Sequence, residues 1–218
     1  MCSPANKEES PRTFHWTACA EIFESESLGQ DWEPEADRTG FGNAEWHLRM
    51  PLVVPLAKDC PSAQQYLQEL PHELGRQCVI LMQAGAVSIG LFEDGQAVHT
   101  KTIKKYVVRG SGRAQPTHLK TKGKSRYGSR LRLRNAQLLL QESAERLGDW
   151  WGLGEPIEQV YVNAPQRLWA EFQGFDLPPA LTQKDSLIRI PLDLPRPTTD
   201  LLLRTYRSME YGRIVPKT

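Results

Sequence analysis

Between Lys101 and Arg134 the chain has no aspartate and no glutamate, yet it carries twelve lysines and arginines. Of the 27 basic residues in this 218-residue protein, that leaves 15 elsewhere to face 26 acidic ones. A near-neutral total thus divides into an acidic body and one cationic segment. Such a block is the electrostatic footprint of a polyanion partner, most simply nucleic acid. Other absences narrow the field. No run approaches the ~20 apolar residues of a membrane helix, so no membrane partner is expected. The first residues, Met1 to Glu9, have no apolar signal-peptide core, so a cytoplasmic location is expected. Cys2, Cys19, Cys60 and Cys78 are scattered and form no Cys-x-x-Cys pair. No metal site is expected from them, and reduced thiols are. His15, His47, His72 and His99 show no ligand spacing, and no cofactor is implied. Internal repeats are lacking too.

What is present reads as one α/β domain behind an irregular arm. Residues 1–43 are acidic and broken by proline and glycine, with Ser25 to Asn43 as loop. A domain over residues 44–218 follows. A strand is expected over Trp46–Leu56, then a helix to Leu70 capped by Asp59 with Pro61 in its first turn. Cys78–Met82 is an apolar run suited to a buried strand. Val87, Ile89 and Leu91 alternate with Ser88, Gly90 and Phe92, and Asp94-Gly95 is a hairpin turn signal. The return strand spans Gln96–Val108. After the basic segment comes a helix over Ser129–Trp151, with Ala136, Leu140, Ala144, Leu147 and Trp151 as its buried stripe. Then follow a strand over Ile157–Val162, a helix from Pro165, a strand over Leu187–Leu192, and a helix capped by Thr198 or Thr199. An antiparallel hairpin followed by alternating helices and strands predicts a mixed sheet covered by helices. An RNase H-like layout fits this order, and other α/β topologies fit it too. A long basic loop joins the hairpin to the first major helix.

Within that loop, Gly110, Gly112, Gly123 and Gly128 make the backbone permissive. Arg126, Arg130, Arg132 and Arg134 lie in or before the first turns of the next helix, against its dipole. A phosphate there would reverse the penalty and accept free backbone N–H groups. Arg126, Arg130 and Arg134 recur at i+4 and share a face. This arrangement reads as a clamp for a phosphate backbone. Gln115 offers two donors and one acceptor. A glutamine is no base at neutral pH, so a site centred on it would work by orienting a nucleophile and stabilising charge.

The segments Lys104-Lys105-Tyr106-Val107-Val108-Arg109, Gly112-Arg113-Ala114-Gln115 and Lys122 to Asn135 resemble the Vms-like release-factor (VLRF) domain. So does Val160-Tyr161-Val162-Asn163-Ala164-Pro165. The resemblance is strongest over residues 84–172. That family is related to the catalytic middle domain of archaeal and eukaryotic peptide-release factors. The resemblance implies an RNase H-like fold and action at the large ribosomal subunit on peptidyl-tRNA, in ribosome rescue or quality control. It implies Gln115 as the catalytic residue, supported by the strand-end pair Tyr106 and Arg109. Lys104, Lys105, Arg113, Lys120, Lys122, Lys124, Arg126, Arg130, Arg132 and Arg134 would hold RNA. Release factors carry Gly-Gly-Gln, whereas this chain has Gly112-Arg113-Ala114-Gln115.

Two other readings stay open at this level. One is a ribosome or tRNA binder of the same fold without catalysis. The other is a metal-dependent nuclease, which would need several carboxylates around a divalent ion. Glu93, Asp94 and Glu158 are the candidates for that.

Overall fold

The computed structural model describes residues 12–29, 31–57, 59–107, 124–183 and 186–217, with the backbone alone at 26 and 124–127. Two compact units emerge: Gly75–Arg204, and Met1–Leu74 together with Thr205–Thr218. Among the described residues no helix is long and apolar enough to cross a membrane.

The unit over 75–204 is built on a mixed five-stranded sheet. Strands β5 (Arg76–Gln83), β6 (Ala86–Glu93) and β7 (Gln96–Lys104) form an antiparallel meander. β8 (Gln159–Asn163) runs parallel to β5, and β9 (Leu187–Arg189) runs parallel to β8. The order across the sheet is β7-β6-β5-β8-β9. The turn between β6 and β7 is the expected one. Asp94 and Gly95 both take positive φ, 46° and 82°, as a two-residue turn matched to strand twist requires.

The alternation in β6 has a direct structural meaning. Val87, Ile89 and Leu91 join the main core, with Cys78, Ile80 and Met82 of β5 and Val160 and Val162 of β8. Helix α3 (Lys124–Trp151) contributes Leu139, Leu140, Ala144, Leu147 and Trp150 to that core, and α4 (Gln166–Phe172) adds Trp169 and Phe172. The small residues face the other way. A Cβ on Gly90 would lie 2.9 Å from Leu202 of α5 (Thr199–Met209). Ser88, Thr102 and Thr199 link their hydroxyls there at 2.8 and 2.9 Å. Both faces of β6 are therefore buried, and a helix packs on each side.

Several expected boundaries move. β7 ends at Lys104, short of Val108. α3 begins at Lys124, one and a half turns before the expected Ser129. Lysine, arginine and tyrosine are adequate helix formers, so Gly128 is a helical residue and not part of the loop backbone. A Cβ there would meet nothing nearer than Arg132 at 3.6 Å. Thr198, not Thr199, caps α5, accepting from the Leu201 N–H at 3.1 Å.

The other unit holds an antiparallel sheet in the order β1-β10-β4-β3-β2. Its strands are β1 (Arg12–His15), β2 (Glu33–Pro34), β3 (Gly40–Gly42), β4 (Trp46–Arg49) and β10 (Tyr211–Pro216). The stretch expected as loop, 25–43, thus contains two strands, and β3 and β4 pair across the expected boundary at 43/44. Strands of two or three residues cannot display a period of two, so pattern gives no signal for them. β4 stops at Arg49 instead of reaching Leu56, because Pro51 and Pro55 supply no donors; Val53 bonds to Met209 and Val54 to Pro51. Helix α2 (Ala63–Gln68) is capped by Ser62, whose hydroxyl accepts from Gln65 at 3.2 Å, not by Asp59. Helix α1 (Cys19–Glu24) supplies Phe23 to an aromatic cluster with Trp32, Phe41 and Tyr66.

Two expected outcomes follow from this packing. At Gly40 a Cβ would sit 1.9 Å from the Leu48 carbonyl oxygen. The obstruction is backbone held in the β3–β4 ladder, so it cannot swing aside. Gly40→Ala should cost about 3 kcal/mol, and thermal unfolding monitored by tryptophan fluorescence would show it; an unchanged midpoint would contradict this packing. The second concerns thiols. Burial pushes Cys19 up to about 11, despite a hydrogen bond with Tyr66, and Cys78 up to about 12. Only thiolate reacts with disulfide reagents. At pH 8, peptide mapping after aromatic disulfide treatment should find Cys19 and Cys78 unlabelled in the native protein and labelled in urea. Native labelling at the reagent-limited rate would refute this.

Candidate nucleic-acid interface

The basic segment leaves the sheet at the end of β7 and returns as α3. Its departure point is held from several sides. The Lys105 N–H donates to the Gly85 carbonyl at 3.0 Å, and the Arg196 guanidinium donates to the same oxygen at 2.9 Å. Gly85 lies in the β5–β6 turn at φ +85°. A Cβ there would come within 2.9 Å of the Lys105 carbonyl and the Val107 side chain. Only glycine fits both the angle and the approach. The Lys105 ammonium donates to Glu142 of α3 at 2.5 Å. The Asn135 amide, also on α3, donates to the Tyr106 carbonyl at 2.9 Å.

α3 is 28 residues long, roughly 42 Å at 1.5 Å per residue. Its two halves differ. From Gly128 through Leu138 no residue is buried, and the core-facing stripe starts at Leu139. Arg130 and Arg134 are exposed, Arg132 is half-buried, and Leu131 and Leu133 stand 41% and 66% exposed. The expected stripe is correct at Leu140, Ala144 and Leu147, whereas Ala136 and Trp151 are only half-buried. Carboxylates enter the helix first at Glu142, followed by Glu145 and Asp149. They flank a groove of about 270 Å³ shared with Lys101, Ile103 and Arg146. The long helix is therefore cationic where it lies free of the core and anionic where it packs beside β7.

This placement sorts the expected RNA-binding residues. Arg130, Arg132 and Arg134 lie on the uncovered half of α3, and Lys104 is exposed at the strand end. The Lys105 ammonium differs from them in being paired with Glu142. The run lacks acid in sequence, but the fold brings one in from eight residues beyond its end. The Tyr106 side chain is 58% exposed beside this junction. Gln115, Arg109, Gly110, Gly112, Arg113, Lys120, Lys122 and Gly123, and the side chains of Lys124 and Arg126, lie outside the described residues. Asn135, Glu142, Gly85 and Arg196 hold the junction; Asn135 ends a segment that carries the family resemblance, and no motif marks the other three. Asn135 and Glu142 sit at helical spacings that only the fold aligns with the strand end, and Gly85 and Arg196 are 111 residues apart.

The carboxylates considered for a metal lie elsewhere. Glu93 and Asp94 end β6 and turn the hairpin, and Glu158 precedes β8. All sit at the end of the sheet opposite Lys104, since Arg76 pairs with Glu93 and Ala86 with Lys104. Asp94 is bonded to the Gly75 N–H at 2.9 Å.

Comparison with known proteins agrees with the local resemblance. Among solved structures, the Vms1 mitochondrial localization core is similar at a TM-score of 0.50 and 12% identity, over 76% of this chain and 70% of that one. At that identity the likeness concerns fold alone. No curated protein sequence matches the chain. The sequence model bVLRF1, described as the Bacteroidetes VLRF1 release factor, matches residues 77–217, and the chain belongs to that release-factor family.

Proposed function

We propose that this protein is a release factor-like peptidyl-tRNA hydrolase or tRNA-cleaving factor that frees nascent chains in ribosome rescue or quality control. Its partners in this reading are the large ribosomal subunit and peptidyl-tRNA, in the cytoplasm. The sheet of the 75–204 unit supports an RNase H-like assignment. Its strands run third, second, first, fourth, fifth in chain order, with a meander of three and two parallel additions.

One observation carries the functional reading. A segment of twelve cations and no acid holds a single glutamine, and it joins a strand end to a helix in which no residue from Gly128 through Leu138 is buried. In ester hydrolysis the Gln115 amide orients a water at the peptidyl carbonyl carbon. The water oxygen bonds to that carbon, the ester C–O bond breaks, and the tRNA 3′ oxygen leaves with a proton. The amide then acts by placement and charge stabilisation. The alternative chemistry cuts a phosphodiester near the tRNA end. A second reading, binding without catalysis, rests on Arg113-Ala114 before Gln115. Ala114 carries a Cβ where release factors have glycine, which narrows the backbone angles open to it.

The test is single-turnover peptide release from stalled large-subunit–peptidyl-tRNA complexes, wild type against Gln115→Ala, with the tRNA sized on a denaturing gel. Gln115-dependent release supports hydrolysis or cleavage, and the tRNA length names the bond. Salt-sensitive binding without release by wild type would leave the binding-only reading.

A further inference from the structure

We propose that the outer face of the β1–β10–β4 sheet binds single-stranded RNA, stacking a base on Tyr211 and His15 and seating a flanking phosphate between Arg49 and Arg213. This surface belongs to the unit of Met1–Leu74 and Thr205–Thr218. It contains none of the basic run and does not depend on Gln115 chemistry. Alternation along the strands defines it. Phe14, Leu48 and Ile214 are buried on one side of the sheet. His15 of β1, Arg49 of β4, and Tyr211 and Arg213 of β10 alternate with them and stand on the open side.

His15 and Tyr211 sit directly opposite each other on β1 and β10. Their rings meet edge to face with centroids 5.3 Å apart, and the Trp16 ring lies tilted 5.9 Å from His15. Tyr211 is 49% exposed, and His15 and Trp16 are half-buried. A cross-strand ring pair stabilises a sheet by itself, so the rings alone imply no ligand. The arginines beside them have no such explanation. Arg213 stands two residues along β10 from Tyr211, about 7 Å, and directly opposite Arg49. Both are exposed, and like charges set opposite each other weaken strand pairing. Among the described residues neither guanidinium is in a salt bridge. The carboxylates nearby are engaged. Asp37 is near enough to feel Arg49 and His47, but both its oxygens accept from Thr39. Glu35 pairs with His47, and half-buried Glu210 lies beside His15 and Arg207.

A phosphate between Arg49 and Arg213 cancels their repulsion and accepts charge-assisted hydrogen bonds from both. The base of the same nucleotide then lies within reach of Tyr211. Rings that stack bases beside cations that hold the backbone are the means by which single strands are bound with little regard to sequence. In a duplex the base faces are already covered by their neighbours, so the rings select an unpaired strand. An acidic peptide would answer the arginines and leave the rings unused. RNA answers both.

The test is ultraviolet crosslinking of a uridine tetranucleotide to the full chain, with the crosslinked peptides mapped by mass spectrometry. Mapping separates this face from the basic run, because the yield is read at the peptide that holds His15 and Trp16. That yield should saturate with tetranucleotide concentration. Tyr211→Ala should raise the half-saturating concentration there about tenfold, and Tyr211→Phe, which keeps the ring, should leave it at the wild-type value. Arg49→Gln with Arg213→Gln should lower the salt slope of the same yield by about 0.7, the share of one single-strand phosphate. This pair keeps the test open even if Tyr211→Ala fails to fold, since its loss relieves a like-charge opposition and the melting temperature should be at or above wild type. An abasic tetranucleotide, which has phosphates but nothing to stack, should compete about tenfold less well than uridine. Crosslinks confined to residues 101–134, an unchanged half-saturating concentration in folded Tyr211→Ala, an unchanged slope in the arginine pair, or equal competition by the abasic strand overturns the proposal. None of these outcomes bears on Gln115-dependent release, which is measured separately.

Discussion

Gln115→Ala is expected to lower the single-turnover rate of peptide release by about 10²–10³-fold. Binding to the large subunit, and its dependence on salt, should stay at wild-type values. The separation follows from charge. Gln115 is neutral and stands among cations, so its removal leaves the attraction to phosphate intact. What disappears is a pair of donors and an acceptor that place a water and meet developing negative charge. An effect of that size is typical when one such group is deleted from a site that works by placement. Gln115→Glu sharpens the result. The side chain keeps its length but trades two donors for a carboxylate. Were the residue a proton acceptor, glutamate would serve and release would persist or quicken. Under the placement mechanism glutamate should be at least as poor as alanine, since an anion is set beside the developing oxyanion. Quenched-flow release with a labelled nascent peptide would measure all three proteins. Equal rates for wild type and Gln115→Ala would remove this residue from the chemistry.

How far the chain discloses its own structure depends on the length scale of each signal. The β5–β6–β7 meander was legible because three signals agree. Cys78–Met82 is continuously apolar, Val87, Ile89 and Leu91 alternate with Ser88, Gly90 and Phe92, and Asp94-Gly95 takes the two positive φ angles a tight turn needs. The strand–helix–strand–helix order after it was legible for a similar reason. The amino-terminal half of α3 was harder, since glycine at 128 and a crowd of cations both argue against helix locally. Residues further along are packed on the core, and propagation from a formed helix is easier than starting one. The sheet containing β1, β2, β3 and β10 was not legible. Its strands are short, and β10 finds its partners at β1 and β4, about 200 and 165 residues away in the chain; distance of that kind leaves no mark in a local pattern. At the candidate site, the basic run and its glutamine stood out from composition and resemblance. The role of Glu142 did not. Charge counted along the chain treats Lys105 as one more unpaired cation, and only the packing of α3 beside the strand end shows it paired with Glu142.

That difference between Lys105 and the arginines of α3 sets up the second large effect. Arg126→Gln, Arg130→Gln and Arg134→Gln combined should weaken ribosome binding by about 10²-fold near ~0.1 M salt, at roughly 1 kcal/mol for each arginine–phosphate bond deleted. The plot of log affinity against log salt should become shallower by about 2–3 units, because each phosphate left without its arginine keeps about one counterion. The three residues recur at i+4 on a helix with no buried residue from Gly128 through Leu138, and no carboxylate of α3 precedes Glu142. Folding should respond in the opposite sense. Arg126 sits in the first turn of α3, where a cation opposes the helix dipole by about 0.3–1 kcal/mol. Removing it should leave the melting temperature unchanged or slightly higher, so weaker binding could not be ascribed to unfolding. Lys105→Gln is the contrasting variant. Its ammonium is already paired with Glu142, and the salt slope should shift by less than about half a unit. Filter binding to large subunits over a salt series would measure both proteins. A slope unchanged by the triple substitution would mean that α3 does not meet phosphate. A slope reduced equally by Lys105→Gln would mean that the Glu142 pair opens when RNA arrives.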